Sequence, residues 1–332
     1  MKFRILSALA LACALAAAAV AQDKPKQDAP KVSGGEREAA QKIEKAKGTE
    51  AKLQLAAAFV KKYPQSPLRG QLAESLAREI AETTDNQAKG SLAQTFLDIF
   101  SLPGEAPLVT ASLLNSYINT GQTQDAMTLG TKWLVEHPDD IAVLQNLTIL
   151  ASAEAIKNNN AFVAQGRDYG AKAIALLEAD KMPAGFDAAK WPDYKRQALV
   201  SLYRETGILA FKSNDNAGAV PLLEKAVGLN SPDAAIYFLL SDLLNDVYEQ
   251  SAKSAMVASA ADKPAATQKA EAALDRVIDA YARAIAFTDG KAEFAQANAA
   301  FRERIGPYYK YRHKGSTDGM QQLIDKYKKS SQ

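Results

Sequence analysis

The chain has 332 residues, 47% of them hydrophobic and 23% charged, the balance of an ordinary folded protein. Lys and Arg number 40 against 38 Asp and Glu; without Lys2 and Arg4, which open the N-terminal leader, the count is 38 against 38. A neutral chain has no global attraction to nucleic acid. Cys13 is the only cysteine, and His137 and His313 are the only histidines, which excludes His/Cys metal clusters.

Lys2 and Arg4 precede an Ala-rich apolar run, Ile5–Val20, and Ala19 and Ala21 are small residues at the positions a signal peptidase reads. This predicts a signal peptide over residues 1–21, cleaved after Ala21, and an exported, periplasmic or secreted protein. Cys13 keeps an alternative open. Ala10-Leu11-Ala12-Cys13 loosely resembles a bacterial lipobox, although Ala10 stands where Leu is usual and ALAAAAVA follows where polar sequence is usual. Residues 22–35 are polar, with Pro and Gly, and predict a flexible linker before a folded region over 36–330.

A charged, Ala-rich helix is expected over Glu36–Lys47, broken at Gly48, with Thr49 as the cap of the next helix. That helix presents Leu55, Phe59 and Val60 and stops at Pro64. Leu72, Leu76 and Ile80 then recur every four residues, the mark of a helix with one buried side. Leu92, Phe96, Ile99 and Phe100 belong to a further helix, closed by Pro103-Gly104.

Pro107–Asp140 is the most regular stretch. Leu113, Leu114 and Tyr117 share a face of its first helix, Gly121 permits a tight turn, Ala126 is a small residue of its second helix, and Pro138 stops the chain. Gly130 and Trp133 are read as a swap in which the indole supplies the volume the glycine lacks. A shift of 34 residues leads from Pro107 to Ile141, with Leu144 and Leu147 at first-helix positions. A second unit over 141–180 carries extra residues at Asn158–Asn160 and is followed by a long loop that includes Trp191-Pro192. A third spans 200–233, with Tyr203, Gly207, Ala219, Leu223 and Ala226 at matching places. A fourth spans 234–288, its second helix expected over Ala270–Phe287. The last helices are expected over Phe294–Ile305 and Gly319–Lys328, with PYYKYRHKGSTDG between them.

The order large-large-Tyr, Gly, Ala, Pro with this period resembles the tetratricopeptide repeat, a helix–turn–helix unit of about 34 residues. The resemblance implies an all-α solenoid of stacked antiparallel helix pairs, a right-handed superhelix whose first helices line a concave, peptide-holding groove. The outward first-helix positions here are Asn115, Asn119, Gln145, Arg204, Lys212, Asp242 and Asn245, the candidate groove residues. The alternative is that they are simply the solvated sides of amphipathic helices.

A second candidate surface is RERIGPYYKYRHK, with Arg302, Arg304, Tyr308, Tyr309, Lys310, Tyr311 and Arg312. Basic and aromatic residues together suit an anionic glycan or a lipid headgroup. The alternative is a cap whose tyrosines cover the end of the stack. No HExxH, G-x-S-x-G, P-loop or Ser-x-x-Lys pattern occurs, and His137 lies at a helix end, where an imidazolium complements the dipole. The sequence therefore predicts a non-catalytic scaffold or adaptor with a protein or peptide partner, no cofactor, no metal and no nucleic acid. The runner-up is a lipid-anchored envelope assembly factor acting through residues 302–314.

Overall fold

Ser33 opens the first helix with a reciprocal cap: the Glu36 amide donates to Ser33 Oγ at 3.3 Å, and the Ser33 amide donates to the Glu36 carboxylate at 2.7 Å. The cap starts helix α1 (Gly34–Lys45) inside the stretch expected to be linker, which corrects the 22–35 boundary. The computed structural model describes residues 32–231 and 233–329; the expected signal peptide, Cys13, most of the linker and Pro232 lie outside them. The described residues form fourteen α-helices and two 3-10 turns, with no strand. The chain is all-α, as expected, and divides near residue 138 into two compact units.

The first unit holds α1, α2 (Thr49–Lys62), α3 (Arg69–Glu82), α4 (Asn86–Ile99), α5 (Pro107–Asn119) and α6 (Thr123–Glu136). Thr49 does not cap α2: Gly48 holds the cap position, and Thr49 Oγ1 donates to Glu79 of α3 at 3.4 Å. The four-residue rhythm of α3 buries Leu72, Leu76 and Ile80 against Leu53 and Phe59 of α2 and Phe96 of α4. Each large side chain so buried contributes about 1.5–3 kcal/mol. Gly121 turns α5 into α6 at φ +75°, where an L side chain would strain the backbone. Behind it Ala126 is fully buried. Trp133 lies on the His137 imidazole, ring centres 3.9 Å apart, where α6 ends.

The second unit holds α7 (Ile141–Ile156), α8 (Val163–Glu178), α9 (Trp191–Lys212), α10 (Asn216–Gly228), α11 (Ala234–Val257), α12 (Lys263–Thr288), α13 (Ala295–Arg312) and α14 (Met320–Lys329). Successive helices pair, and α9 rests on both members of the pair before it, while α13 and α14 both pack on α12. Gly170 lets α8 approach α9 closely. A methyl there would overlap Thr206 Oγ1 and lie 3.0 Å from Thr148 Cγ2.

Three helices exceed their expected limits. α9 begins at Trp191, a residue expected in a loop, because Pro192 in a first turn gives up no helical bond. The indole N–H donates to Asp180 at 2.9 Å, and the ring is buried beside Phe186 and Tyr194. α12 begins at Lys263 rather than Ala270 for the same reason, with Pro264 in its first turn. α13 continues through Pro307 to Arg312, where sequence reasoning ended it at Ile305. An interior proline costs about 3 kcal/mol. Phe301, Ile305 and Tyr309, four residues apart, are all buried on one face, and at about 1.5–3 kcal/mol each they outweigh that cost.

Candidate functional site

The first helices of the second unit are α7, α9, α11 and α13, and their expected groove residues act as rungs between them. Gln145 of α7 accepts a hydrogen bond from Tyr194 of α9 at 3.4 Å. Burial, with the charge of Asp140, pushes the Tyr194 phenol up. Lys212, at the end of α9, donates to Asn158, just past α7, at 3.2 Å. Arg204 of α9 pairs with its neighbour Glu205 and reaches Asp233, the cap of α11, at 3.9 Å. Asp242 of α11 meets Arg304 of α13 at 2.9 Å, and Asn245 Oδ1 accepts from Tyr308 Oη at 2.5 Å. In the first unit, Asn119 of α5 donates to the Asn115 carbonyl at 2.7 Å, a bond within one helix.

The two candidate surfaces thus meet. Asp242 and Asn245 from the groove set come together with Arg304 and Tyr308 from the basic aromatic set. The rest of that second set is spread around α13, since residues 302–312 are helical. Arg302 turns to Asp289 at the end of α12, at 2.9 Å. Arg312 forms a forked pair with Asp275 of α12, its Nε at 2.8 Å. That hydrogen bond, and then the charge of Asp275, raise the Arg312 pKa. Tyr309 is buried, donates to the Asp318 carbonyl at 3.0 Å and stacks on His313. Lys310 is exposed, and Tyr311 is 74% exposed. Three of the four cations expected to form a basic face therefore already meet carboxylates.

A tyrosine–carboxylate–lysine contact joins α8, α9 and α10. Tyr203 Oη donates to Glu178 at 2.5 Å, and Lys225 donates to the same oxygen at 2.7 Å while lying over the Tyr203 ring. Burial and the bond to Glu178 push the Tyr203 phenol up to about 12. The hydrogen bonds from Lys225 and Tyr203 hold the Glu178 carboxyl below its ordinary range.

Sequence reasoning missed the most buried ion pair. Arg69, in the first turn of α3, forks onto Glu105 in the loop before α5, with contacts of 2.7 and 2.9 Å. The Leu102 amide also donates to this carboxylate, at 2.7 Å, and the Arg69 guanidinium lies over Phe100. Burial alone would raise the Glu105 pKa, but the Arg69 and Leu102 bonds leave it lowered. The pair forms one wall of a cleft of about 370 Å³ that includes Ser66, Glu74 and Pro103. A short Pro-Gly-Glu loop gives no periodic signal that its glutamate will meet an arginine thirty-six residues away. Among the described residues, no group of three or more His, Cys, Asp or Glu is placed to hold a metal ion, and no helix is long and apolar enough to cross a membrane.

No family model matches the chain, and no curated protein matches it. Among solved structures, 17 chains match. One is a tetratricopeptide repeat protein from Parabacteroides merdae ATCC 43184, 14% identical, covering 90% of this chain and 98% of that chain, with a TM-score of 0.38.

Proposed function

We propose that this chain is a non-catalytic scaffold or adaptor, exported to the cell envelope, that holds a segment of a protein partner along the faces of its first helices. The observation that carries the reading is the row of polar side chains running from Gln145 through Arg204 to Asp242 and Asn245 on successive first helices of the second unit. A face of this kind offers an extended ligand regularly spaced donors and acceptors at the solvent edge of a rigid framework. The resemblance of the repeat period to the tetratricopeptide pattern supports the same reading. Export rests on Lys2, Arg4, the apolar run to Val20 and the small residues Ala19 and Ala21. The lipid-anchored alternative needs Cys13 to keep an acyl group, and its basic surface is largely balanced by Asp242, Asp275 and Asp289.

Photo-crosslinkers at Arg204 and Asp242 in living cells test the reading. Both positions are expected to capture the same partner, while Lys269, exposed on the second helix α12, captures none. Capture confined to Lys269 would refute it. Intact mass of the exported protein decides the anchor: loss of residues 1–21 without added lipid removes that version.

A further inference from the structure

The seam between α11 and α13 has a chemistry more selective than a general peptide groove. Both helices pack on α12 and meet each other through side chains. Arg304, Tyr308 and Tyr311 recur at i, i+4 and i+7 and form one stripe of α13; Asp242, Asn245 and Glu249 recur at i, i+3 and i+7 on α11. Tyr308 is fixed from three sides. It bonds to Asn245, Tyr248 meets its ring edge-on at 6.0 Å, and Tyr281 of α12 lies parallel to it at 6.2 Å. One turn further on, Tyr311 is 74% exposed. Tyr308 is thus already held in place, and Tyr311 beside it offers its ring to solvent.

The charge along this seam is one-sided. From Asp242 to Glu249, α11 carries the carboxylates Asp242, Asp246 and Glu249 and no cation. Of these three, Asp242 is the one that Arg304 meets. Glu249 accepts from Asn245 at 3.0 Å and has a long contact of 3.7 Å with exposed Lys253, and Asp246 is exposed with no ion partner among the described residues.

We propose that the exposed edge of this seam docks a basic, proline-containing peptide segment in an extended polyproline II conformation. The proposal rests on the peptide-binding reading above and names its partner's chemistry. A proline ring lies flat on Tyr311 beside the half-buried Tyr308, and Lys or Arg side chains reach Asp246 and Glu249. A polyproline II segment has no internal hydrogen bonds, so its carbonyls are open to donors such as the Tyr248 and Tyr311 hydroxyls. The same carboxylates repel an anionic glycan or lipid headgroup, which selects the peptide over those ligands.

The test is fluorescence anisotropy of a labelled peptide, KPPKPPK, titrated with the full chain at low salt. Saturable binding is expected, weakened about tenfold by Tyr311→Ala and about tenfold by Asp246→Lys, with EPPEPPE not bound. Both substituted residues are exposed, so the variants keep the fold, and an unchanged circular dichroism spectrum confirms it. Equal affinity for the parent and Tyr311→Ala overturns the proposal, and so does equal affinity for KAAKAAK and KPPKPPK. Binding of a soluble wall-glycan fragment that Tyr311→Ala abolishes, with KPPKPPK unbound, overturns it in favour of the glycan. If a crosslinker at Arg204 captures a partner while KPPKPPK does not bind, this chemistry falls and the scaffold reading stands; if neither is seen, both fall.

Discussion

Glu105→Ala isolates the Arg69 guanidinium inside the first unit. The two side chains are 8% and 10% exposed, so removing the carboxylate leaves a cation that water reaches poorly. Breaking one partner of such a pair costs about 3–5 kcal/mol. At roughly 4 °C per kcal/mol for a unit of this size, the first unit's transition falls by about 12–20 °C. The assay uses the two tryptophans, since Trp133 belongs to the first unit and Trp191 to the second. In a Trp191→Phe background, urea unfolding followed by indole emission reports the first unit alone. The double replacement Arg69→Met with Glu105→Leu removes both charges and is expected to recover most of the loss. pH gives an independent check. The Glu105 carboxyl titrates below its ordinary value of 4.5, so its stabilisation is complete above that value and is lost as pH falls through the lowered pKa. Glu105→Gln removes this acid-side slope. A cost below about 1 kcal/mol for Glu105→Ala, the range of exposed surface pairs, would refute the reasoning. A double variant as unstable as the single one would refute it too.

Two further outcomes concern the second unit. Gly170→Ala pushes a methyl into Thr206 and Thr148 and is expected to destabilise by about 1–3 kcal/mol, read from Trp191 emission in urea in a Trp133→Phe background. Tyr203, with its phenol raised to about 12, contributes stability that is complete below pH 10 and lost as pH rises from 10 to 12; Tyr203→Phe is expected to flatten that alkaline slope, and an unchanged slope would remove the Glu178 bond from the account.

The regular part of the architecture was legible because burial follows helical period. Leu72, Leu76 and Ile80 announce a buried face by their spacing alone, and Gly121 and Pro138 mark where a hairpin turns and stops. Prolines misled in three places, at Pro192, Pro264 and Pro307. The first two stand in first turns, where the missing N–H is no loss, and a sequence scan for breakers places the boundary on the wrong side of them. Pro307 is interior, and only the burial of Phe301, Ile305 and Tyr309 explains why the helix continues. Composition marked residues 302–314 as one basic aromatic patch. A helix distributes such a run over all its faces, so Arg302 and Tyr309 point away from Arg304 and Tyr308, and Arg312, one turn past Tyr308, is taken up by Asp275 of α12. Arg69 and Glu105 were invisible because an ion pair between a helix start and a distant loop leaves no local pattern.

Exposure separates the charges that hold the fold from those a partner can use. Asp242 and Arg304 keep 62% and 49% of their side-chain surface in contact with solvent. A pair that exposed is worth about 0.2–1 kcal/mol, so a ligand carboxylate or ammonium can replace either member at small cost. Arg69 and Glu105 cannot be exchanged in that way, because both are buried and each supplies the charge that balances the other. By this criterion the cleft beside Arg69 is a structural joint, although it is slightly larger than the cleft of about 350 Å³ between α10 and α12. The exposed rungs between α11 and α13 are the ones free to change partners, and beside them stand Asp246 and Tyr311, groups the fold itself leaves to solvent. A partner that binds there costs little of the protein's own bonding and meets the exposed Tyr311 ring beside a Tyr308 already held in place.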